Sequence, residues 1–404
     1  MKRFGFRVEI NAGALGWVDI TADVRGDLAV TRGLTAEGRR ADPGKLSFTI
    51  DNRAGRYSPR NPASDLYGYI GRNTPVRARA ALAGDSFGRT ISGGWGSTDG
   101  AMTPYAWSTF GAGGSVLGGD WTVSGGMGRV FVPAVGAYRA AWLSTLSVAD
   151  AAVTVTSDTF IGSVAGGPVE PVAVLLRMQS VSSYYMARVE VDASEAVTLK
   201  LYDPAGAVLA SAPVPSITWA GQPIRLSAVI AGDQLAASVW DPAVTGEPGA
   251  WQVRGSAPIL TAGGIGLRGG VGAGNTNTLP VEFRFGDLDI SVGRFHGEIP
   301  SWPPRWSLSG KDRWVNVDAG GLLRRFRQGD QPARSPLRRT IEGSGPVAYW
   351  PGEDGELAEQ AGSVTSGLSP LLVSGAVAFK AVAAYTTFTG STTVYGTTAL
   401  PDLA

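Results

Sequence analysis

Three acidic residues near the middle of the chain have a spacing that could support hydrolysis of a glycosidic bond. They are Glu190, Asp192 and Glu195. Retaining hydrolysis needs one carboxylate that attacks and another that protonates the leaving group, about 5.5 Å away. For this, the acids would have to share one continuous strand along a cleft. Here, however, residues 192–195 separate two strong strand patterns, YYMARVEV and VTLKLY, as a hairpin turn does. The sequence therefore predicts a turn, no catalytic residue and no enzymatic activity.

Metal and nucleophile chemistry have few candidate residues. His296 is the single histidine and cysteine is absent, so a catalytic triad or a multi-histidine metal site would have one base or ligand at most. The loop Asp51–Arg56 carries one acidic residue, which is far short of an oxygen cage for a cation. We therefore expect a structural or exposed histidine, a turn after Asp51, and neither a metal nor a cofactor.

Aromatic residues in the same region could stack on sugar rings, whose C–H faces suit flat apolar surfaces. The candidates for a carbohydrate-binding site are Tyr184, Tyr185, Trp219, Trp240 and Trp251. The alternative is that they fill the core, because aromatic side chains bury large areas there. We expect at least one of them to be exposed.

Arginines cluster in a later segment, at Arg324, Arg325, Arg327, Arg334, Arg338 and Arg339. Such a cluster could contact nucleic acid through phosphates. It could equally pair with carboxylates of adjoining subunits, and an assembly that must form in register favours such pairing. The sequence predicts an interface site at Arg324, Arg325, Arg327, Arg338 and Arg339.

Composition limits the classes of protein to which the chain can belong. Among 404 residues, 57 are Gly and 25 are Pro, which argues against a helical protein. With 44% hydrophobic and 17% charged residues the chain is not disordered, and the net charge of +1 does not point to nucleic acid or an anionic membrane. No apolar run approaches the ~20 residues of a spanning helix, and the segment Met1–Phe6 lacks a signal-peptide core. We expect a β-rich protein that is made in the cytoplasm without secretion or membrane insertion.

Charge is distributed in blocks along the chain. Residues 1–80 hold 14 basic and 8 acidic side chains and residues 291–346 hold 10 and 5, whereas residues 103–290 hold 9 and 14. We predict a basic module formed by residues 1–80 and 291–346 and interrupted by the acidic insertion 103–290. The Gly- and Ser-rich residues 81–102 would be the linker, the alternative being a long irregular loop within one domain. Residues 347–404 would begin a further segment. Insertion at a surface hairpin is tolerated because the ends of such a loop lie close together.

Strand patterns dominate both parts. In the basic module, Phe4–Ile10 and Lys45–Asn52 alternate with period two. In the insertion, strand patterns recur every 8–15 residues without helical periodicity, which favours a two-sheet sandwich. Asp318–Phe326 is the one segment of the basic module with a helical pattern, since Leu322, Leu323 and Phe326 share a face.

The module carries motifs that resemble a known family. They are Trp17-x-Asp19-Ile20-Thr21-x-Asp23-Val24, Val30–Gly33, Leu46–Pro59, Arg294–Ile299 with Trp302, Gly320–Phe326, Ser335–Arg339 and Val347–Asp354. Together they cover about 150 residues on both sides of the insertion. The pattern resembles minor tail proteins of tailed phages of actinobacteria, which are similar to the distal-tail and tail-hub proteins at the tip of a siphophage tail.

The resemblance implies a fold and a function. The fold would be a split β-barrel with a carbohydrate-binding-type sandwich carried between its halves. The protein would be a structural component of the virion tail tip, assembled as a ring with itself and with tail tube, hub and fibre proteins. The sandwich would then serve adhesion to a host-surface glycan. The alternative is a tail-associated glycoside hydrolase that uses the carboxylates of the sandwich.

The insertion itself resembles concanavalin A-like (laminin G-like) sandwiches. The similarity lies in Asp120–Val123, in Arg177 with Tyr184–Val189, and in Gly264–Arg268 followed by Val281–Asp289. The segment from Tyr349 resembles the opening of a second sandwich of this kind. Because 58 residues remain from position 347, this segment would be either the start of such a domain or a C-terminal extension.

Overall fold

The computed structural model describes residues 5–31, 44–100, 104–159, 161–321, 323–324, 336–351, 360–365 and 368–372. Contacts divide the chain into two units, residues 1–31 with 44–320 and residues 32–43 with 321–404.

The prediction of a mostly β protein is confirmed. The strands of the first half are β1 (Phe6–Asn11), β2 (Trp17–Asp19), β3 (Val24–Thr31), β4 (Lys45–Asp51), β5 (Thr74–Asp85), β6 (Ile91–Ser92), β7 (Trp107–Ala112), β8 (Trp121–Ser124), β9 (Met127–Val132), β10 (Tyr138–Val148), β11 (Ala151–Thr159) and β12 (Val169–Ser180).

The strands of the second half are β13 (Ser183–Val191), β14 (Ala196–Tyr202), β15 (Val208–Thr218), β16 (Ile224–Ala231), β17 (Gln234–Trp240), β18 (Val253–Ser256), β19 (Gly263–Val271), β20 (Val281–Ile299), β21 (Pro304–Trp306), β22 (Arg313–Gly321), β23 (Gln360–Ala361) and β24 (Leu371–Leu372). The described residues also contain one α-helix, α1 (Pro336–Gly343), and short 3-10 turns that include Gly13–Leu15, Thr21–Asp23 and Gly118–Asp120.

The insertion folds as a two-sheet sandwich. One layer is a seven-stranded antiparallel sheet in the order β15-β14-β13-β12-β19-β10-β7. The other layer belongs to a larger sheet and contains the run β18-β17-β16-β11-β20, with β9, β8 and β6 continuing beyond β20. The predicted sandwich is therefore confirmed.

Alternation along the strands explains the core between the two layers. In β14, Val197, Leu199 and Leu201 are buried while the residues between them face outward. In β16 of the opposite layer, Ile224 and Leu226 are buried in the same apolar cluster. Each fully buried Val, Leu or Ile side chain contributes about 1.5–3 kcal/mol to folding.

The terminal parts of the first unit form a second, separate apolar core. It contains Val8, Leu46, Tyr57, Val76 and Ile299, all with 6% exposure or less, together with their neighbours. Strands here pair in the order β2-β1-β5-β20-β22-β4-β3. The two end strands of this order, β2 and β3, are not paired with each other in the described residues. The expected split barrel is therefore an open sheet here. Several motif residues of the family resemblance thus pack in this module's core.

Two long strands run through both cores. β5 and β20 pair antiparallel from Leu288 with Asp85 at one end to Ile299 with Thr74 at the other. The Asp85 end lies beside the sandwich core, which includes Leu288, and the Thr74 end lies beside the module core, which includes Val76 and Ile299. The sandwich and the module therefore share a continuous sheet.

The prediction of a linker at residues 81–102 is wrong. β5 extends to Asp85, and Phe87 and Trp95 are fully buried against Trp107 and Phe285 in the sandwich core. Glycines in this stretch occupy tight turns between packed aromatic residues. Gly96, for example, has φ of 66°, a backbone conformation that suits glycine. Composition alone does not distinguish such turns from a flexible linker.

The predicted helix Asp318–Phe326 is wrong for residues 318–321, whereas Leu323 and Arg324 have 3-10 helical conformation. Residues 318–321 belong to β22, in which Asp318 pairs with Ser47 and Gly320 with Lys45. Val315, Val317 and Ala319 occupy every second position of this strand and are buried. The segment therefore follows the two-residue periodicity of a strand, although its sequence has a helical pattern. Leu322, Arg325 and Phe326 lie outside the described residues.

The second unit contains α1, which the sequence analysis did not predict, and the strand pair β23–β24. Within α1, Arg338 donates to Glu342 one turn later, at 2.7 Å. In the part of the chain that the structure describes, no helix is long and apolar enough to cross a membrane.

Candidate functional site

The three acidic residues of the Glu-x-Asp-x-x-Glu pattern do not converge. Glu190 is the penultimate residue of β13 and faces outward from the seven-stranded sheet, whereas Asp192 lies in the β13–β14 turn. One carboxylate oxygen of Asp192 accepts hydrogen bonds from the Ser194 and Ala196 N–H groups, at 2.8 and 3.1 Å. Glu195 completes the turn with φ of 64°. The predicted hairpin turn is what the structure contains.

Three of the five aromatic candidates are not available to a ligand. Tyr185, Trp219 and Trp240 are 1%, 0% and 5% exposed, so their prediction as sugar-binding residues is wrong. Tyr185 alternates inward on β13, and Trp219 fills the core while its indole N–H donates to the Ile161 carbonyl at 3.1 Å. Trp251 is half-buried in the loop between β17 and β18. Only Tyr184 lies on the outer face of the seven-stranded sheet.

The remaining predicted residues fall elsewhere. Of the interface arginines, Arg325 and Arg327 lie outside the described residues and nothing is described of the Arg339 side chain, while Arg324 and Arg338 lie in the second unit. His296 is exposed on β20, with its ring centroid 6.0 Å from that of Trp17. Over the described ranges, no group of three or more His, Cys, Asp or Glu side chains is arranged to hold a metal ion.

A different set of residues comes together on the outer face of the seven-stranded sheet. Because side chains alternate across a strand, Tyr184, Arg188 and Glu190 of β13 point away from the core that contains Tyr185 and Val189. β10, β12, β14 and β19 contribute polar and aromatic residues to the same face. The face is thus a continuous surface built by five adjacent strands.

Five charged side chains form a line across this face, and we call them the charge ladder: Arg268, Glu170, Arg188, Glu190 and Lys200. Glu170 binds Arg268 through both oxygens, at 3.1 Å each, and accepts from Arg188 at 2.8 Å. Glu190 contacts Arg188 on one side and Lys200 on the other. Positive and negative groups therefore alternate along the whole line.

Aromatic rings support the ladder. The Arg268 guanidinium lies 3.8 Å from the ring centroid of Tyr138, and the Arg188 guanidinium lies 4.3 Å from that of Tyr202. Arg268 also donates to the Tyr184 hydroxyl at 3.4 Å. Cation–π contacts of this kind hold a guanidinium flat against the ring. The ladder is therefore fixed in position before any ligand arrives.

Burial and charge shift the ionisation of several of these groups. Partial desolvation lowers the pKa of Lys200, and the nearby Arg188 cation lowers it further. Desolvation raises the pKa of the Tyr138 and Tyr202 hydroxyls. For Arg268, burial alone would lower the pKa, but Glu170, Tyr184 and Tyr138 together outweigh burial and the pKa is raised. These tyrosines remain neutral hydrogen-bonding groups at physiological pH.

Sequence reasoning missed most of this site. Glu170, Arg188, Lys200 and Arg268 were not predicted as site residues, although Arg188 and Lys200 occupy outward positions of the alternating strands β13 and β14. A search for charged residues at outward positions of consecutive alternating strands would have found these two. Which strands are neighbours could not have been deduced, because β19 pairs with β12 and β10, which both lie far earlier in the sequence.

The chain is similar to several solved structures, at low sequence identity. No family model matches the chain, and no curated protein matches it. The solved structures similar to it include a carbohydrate-binding module, CBM66, from Bacillus subtilis, with 14% identity over 46% of this chain and 94% of that one and a TM-score of 0.32. A β-glucanase of Bacillus licheniformis is 10% identical over 51% of this chain and 96% of that one, with a TM-score of 0.36. A non-specific endo-β-1,3(4)-glucanase of family GH16 is 9% identical over 55% and 97%, with a TM-score of 0.37.

These neighbours are carbohydrate-binding and glycoside hydrolase sandwiches. They contradict the sequence-based prediction that the chain is not an enzyme, because glucanases are among them. That prediction is withdrawn. None of the neighbours is described as a phage tail protein.

Proposed function

We propose that this protein binds carbohydrate on the outer face of its seven-stranded sheet. The observation that carries the proposal is the charge ladder, in which fixed guanidinium donors alternate with carboxylate acceptors beside half-buried aromatic rings. Sugar hydroxyls both donate and accept hydrogen bonds, and charged partners make the stronger ones. The half-buried Trp142 and Phe110 on the same face offer apolar surface to sugar C–H groups.

A glycan array probed with the whole protein tests this function. We expect binding that is lost in Arg188→Ala, since Arg188 contacts both carboxylates of the ladder. Arg254→Ala is the matched control, because Arg254 is exposed on β18 in the other layer of the sandwich. Absence of binding to every glycan, or equal binding by the Arg188 variant, would contradict the proposal.

Glycoside hydrolysis is a second candidate function. Glu170 and Glu190 project from neighbouring strands of one open face, and a single guanidinium, that of Arg188, contacts both. Two carboxylates facing a bound sugar are what glycoside hydrolysis requires. Release of reducing ends from polysaccharides, lost in both Glu170→Gln and Glu190→Gln but kept in Glu195→Gln, would support it. Binding without such release would exclude hydrolysis of the glycans tested.

The biological setting that we propose is the tip of a phage tail. Its support is the resemblance of the module motifs to minor tail proteins, and the shared strands β5 and β20 would then carry the sandwich rigidly on a ring of modules. Other tail proteins and further copies of this chain would be its partners, and the virion its location. Electron microscopy of purified protein and of virions should show rings of this chain at the tail tip. A protein that stays monomeric and is absent from virions would overturn this assignment.

A further inference from the structure

The charge ladder has a direction relative to the sheet. Arg268, Ala173, Arg188 and Lys200 are Cα partners across the four adjacent strands β19, β12, β13 and β14. The line through them runs perpendicular to the strands. With strands about 4.8 Å apart, three spacings give a length of about 14 Å. That exceeds a single sugar ring and suits a short oligosaccharide.

Ala173 explains why the ladder alternates in charge. Its small side chain leaves a gap in the row between Arg268 and Arg188, and the Glu170 carboxylate occupies that gap with bonds to both arginines. Glu190 lies two residues after Arg188 on β13 and contacts both Arg188 and Lys200. Each step along the line therefore presents an N–H donor directly beside a carboxylate oxygen.

This alternation favours a neutral ligand over an acidic one. A pair of neighbouring hydroxyls complements a donor beside an acceptor, because one hydroxyl can donate to the carboxylate while the next accepts from the guanidinium. A carboxylated or sulfated sugar would find each cation of the ladder already paired with a carboxylate that repels it. Such an unfavourable contact discriminates against the wrong ligand as effectively as attraction selects the right one.

We propose that the ligand is a neutral linear oligosaccharide that lies across the strands, along the ladder from Arg268 to Lys200. This inference rests on the proposed carbohydrate-binding function. It assigns Lys200 to the end of the site, because β14 is the farthest from Tyr138 of the four strands that carry the ladder. A ligand in this orientation gains contacts with each added sugar until the ladder is covered.

Calorimetric titration with two series of linear oligosaccharides tests the inference. One series is the neutral glycan bound most tightly on the array, in lengths from disaccharide to hexasaccharide, and the other is its uronic-acid counterpart of the same lengths. We expect the affinity for the neutral series to rise about tenfold or more from disaccharide to tetrasaccharide and then to level off. The acidic series should bind at least about tenfold more weakly at each length.

Variants of the ladder test whether the ligand lies along it from Arg268 to Lys200 or contacts the sheet at one end alone. Lys200→Ala should abolish the increase in affinity that comes from the last sugar to add any, whereas Arg254→Ala should leave the whole length profile unchanged. Tighter binding of the acidic series, or a disaccharide that binds as tightly as a hexasaccharide, would overturn the inference while leaving carbohydrate binding intact. Absence of binding to any glycan on the array would instead remove the proposed function on which it rests.

Discussion

Arg77 of the module and Glu247 of the sandwich form a buried ion pair that joins the two parts of the first unit. Arg77 donates to Glu247 at 2.5 and 3.1 Å and to Glu9 at 2.6 Å, and its guanidinium lies 4.1 Å from the ring centroid of Trp17. Both side chains of the pair are 10% exposed. Glu247 belongs to the loop between β17 and β18, so this loop fastens the sandwich to the β1–β2 hairpin.

Removal of the Glu247 carboxylate should destabilise the protein strongly. Glu247→Ala leaves Arg77 and Arg79 buried with Glu9 as the main remaining partner, and an uncompensated buried charge costs about 3 kcal/mol or more. Urea denaturation followed by tryptophan fluorescence measures the loss in free energy of unfolding. Glu195→Ala, in the β13–β14 turn, is the control and should change stability little. A loss below about 1 kcal/mol for Glu247→Ala would show that the ion pair does not fasten the two parts.

Glu9 should make stability depend on acid pH. Burial would raise its pKa, but Arg79 and Arg77 outweigh burial and hold the pKa below 4.5, its ordinary value. A carboxyl with a lowered folded-state pKa contributes stability above its unfolded pKa and loses it as the pH falls through the folded value. The melting temperature should therefore fall less between about pH 5 and about pH 3 in Glu9→Gln than in the native protein. Equal slopes for the two proteins would refute this role, and Glu195→Gln should keep the native slope.

Gly16 should be essential for the close approach of the two loops. It has φ of 70°, and a Cβ there would lie 2.4 Å from the Glu247 carbonyl oxygen. Gly68 has φ of 80°, and a Cβ there would have no atom within 4 Å. Gly68→Ala is therefore the control, because it introduces the backbone strain of a positive φ without a steric clash. Gly16→Ala should cost about 1 kcal/mol more than Gly68→Ala in thermal or urea unfolding. Equal costs would mean that the loops separate without penalty.

Trp95 should behave as a core residue although the surrounding sequence is Gly-rich. It is 0% exposed, and its indole N–H donates to the Arg129 carbonyl at 3.0 Å. Trp95→Ala should therefore lower the free energy of unfolding by about 3–5 kcal/mol. Leu117→Ala is the control, since Leu117 is 63% exposed and surface changes usually stay within about 0.5 kcal/mol. A small effect at Trp95 would restore the interpretation of residues 81–102 as a linker.

Local patterns predicted well wherever neighbours in sequence decide the structure. The alternation in Lys45–Asp51 and Val197–Tyr202 gave the strands, and the Asp192–Glu195 turn followed from the two strand patterns that flank it. Predictions failed where distant contacts decide. Asp318 pairs with Ser47 across 271 residues, which holds a helix-like segment in a strand. Inward and outward aromatic residues were likewise not separated, because Tyr184 and Tyr185 are adjacent in sequence and only sheet packing assigns their faces.

The amino-acid sequence by itself determined the β-rich character, the alternation of inward and outward side chains, and the division into basic and acidic blocks. These follow from local backbone preferences and composition, which need no knowledge of the fold. The tertiary structure alone decided that Arg268, Glu170, Arg188, Glu190 and Lys200 form one line, because strand order sets which outward residues become neighbours. It also decided that Arg77 meets Glu247, since that pair forms only when the sandwich loop docks on the module hairpin.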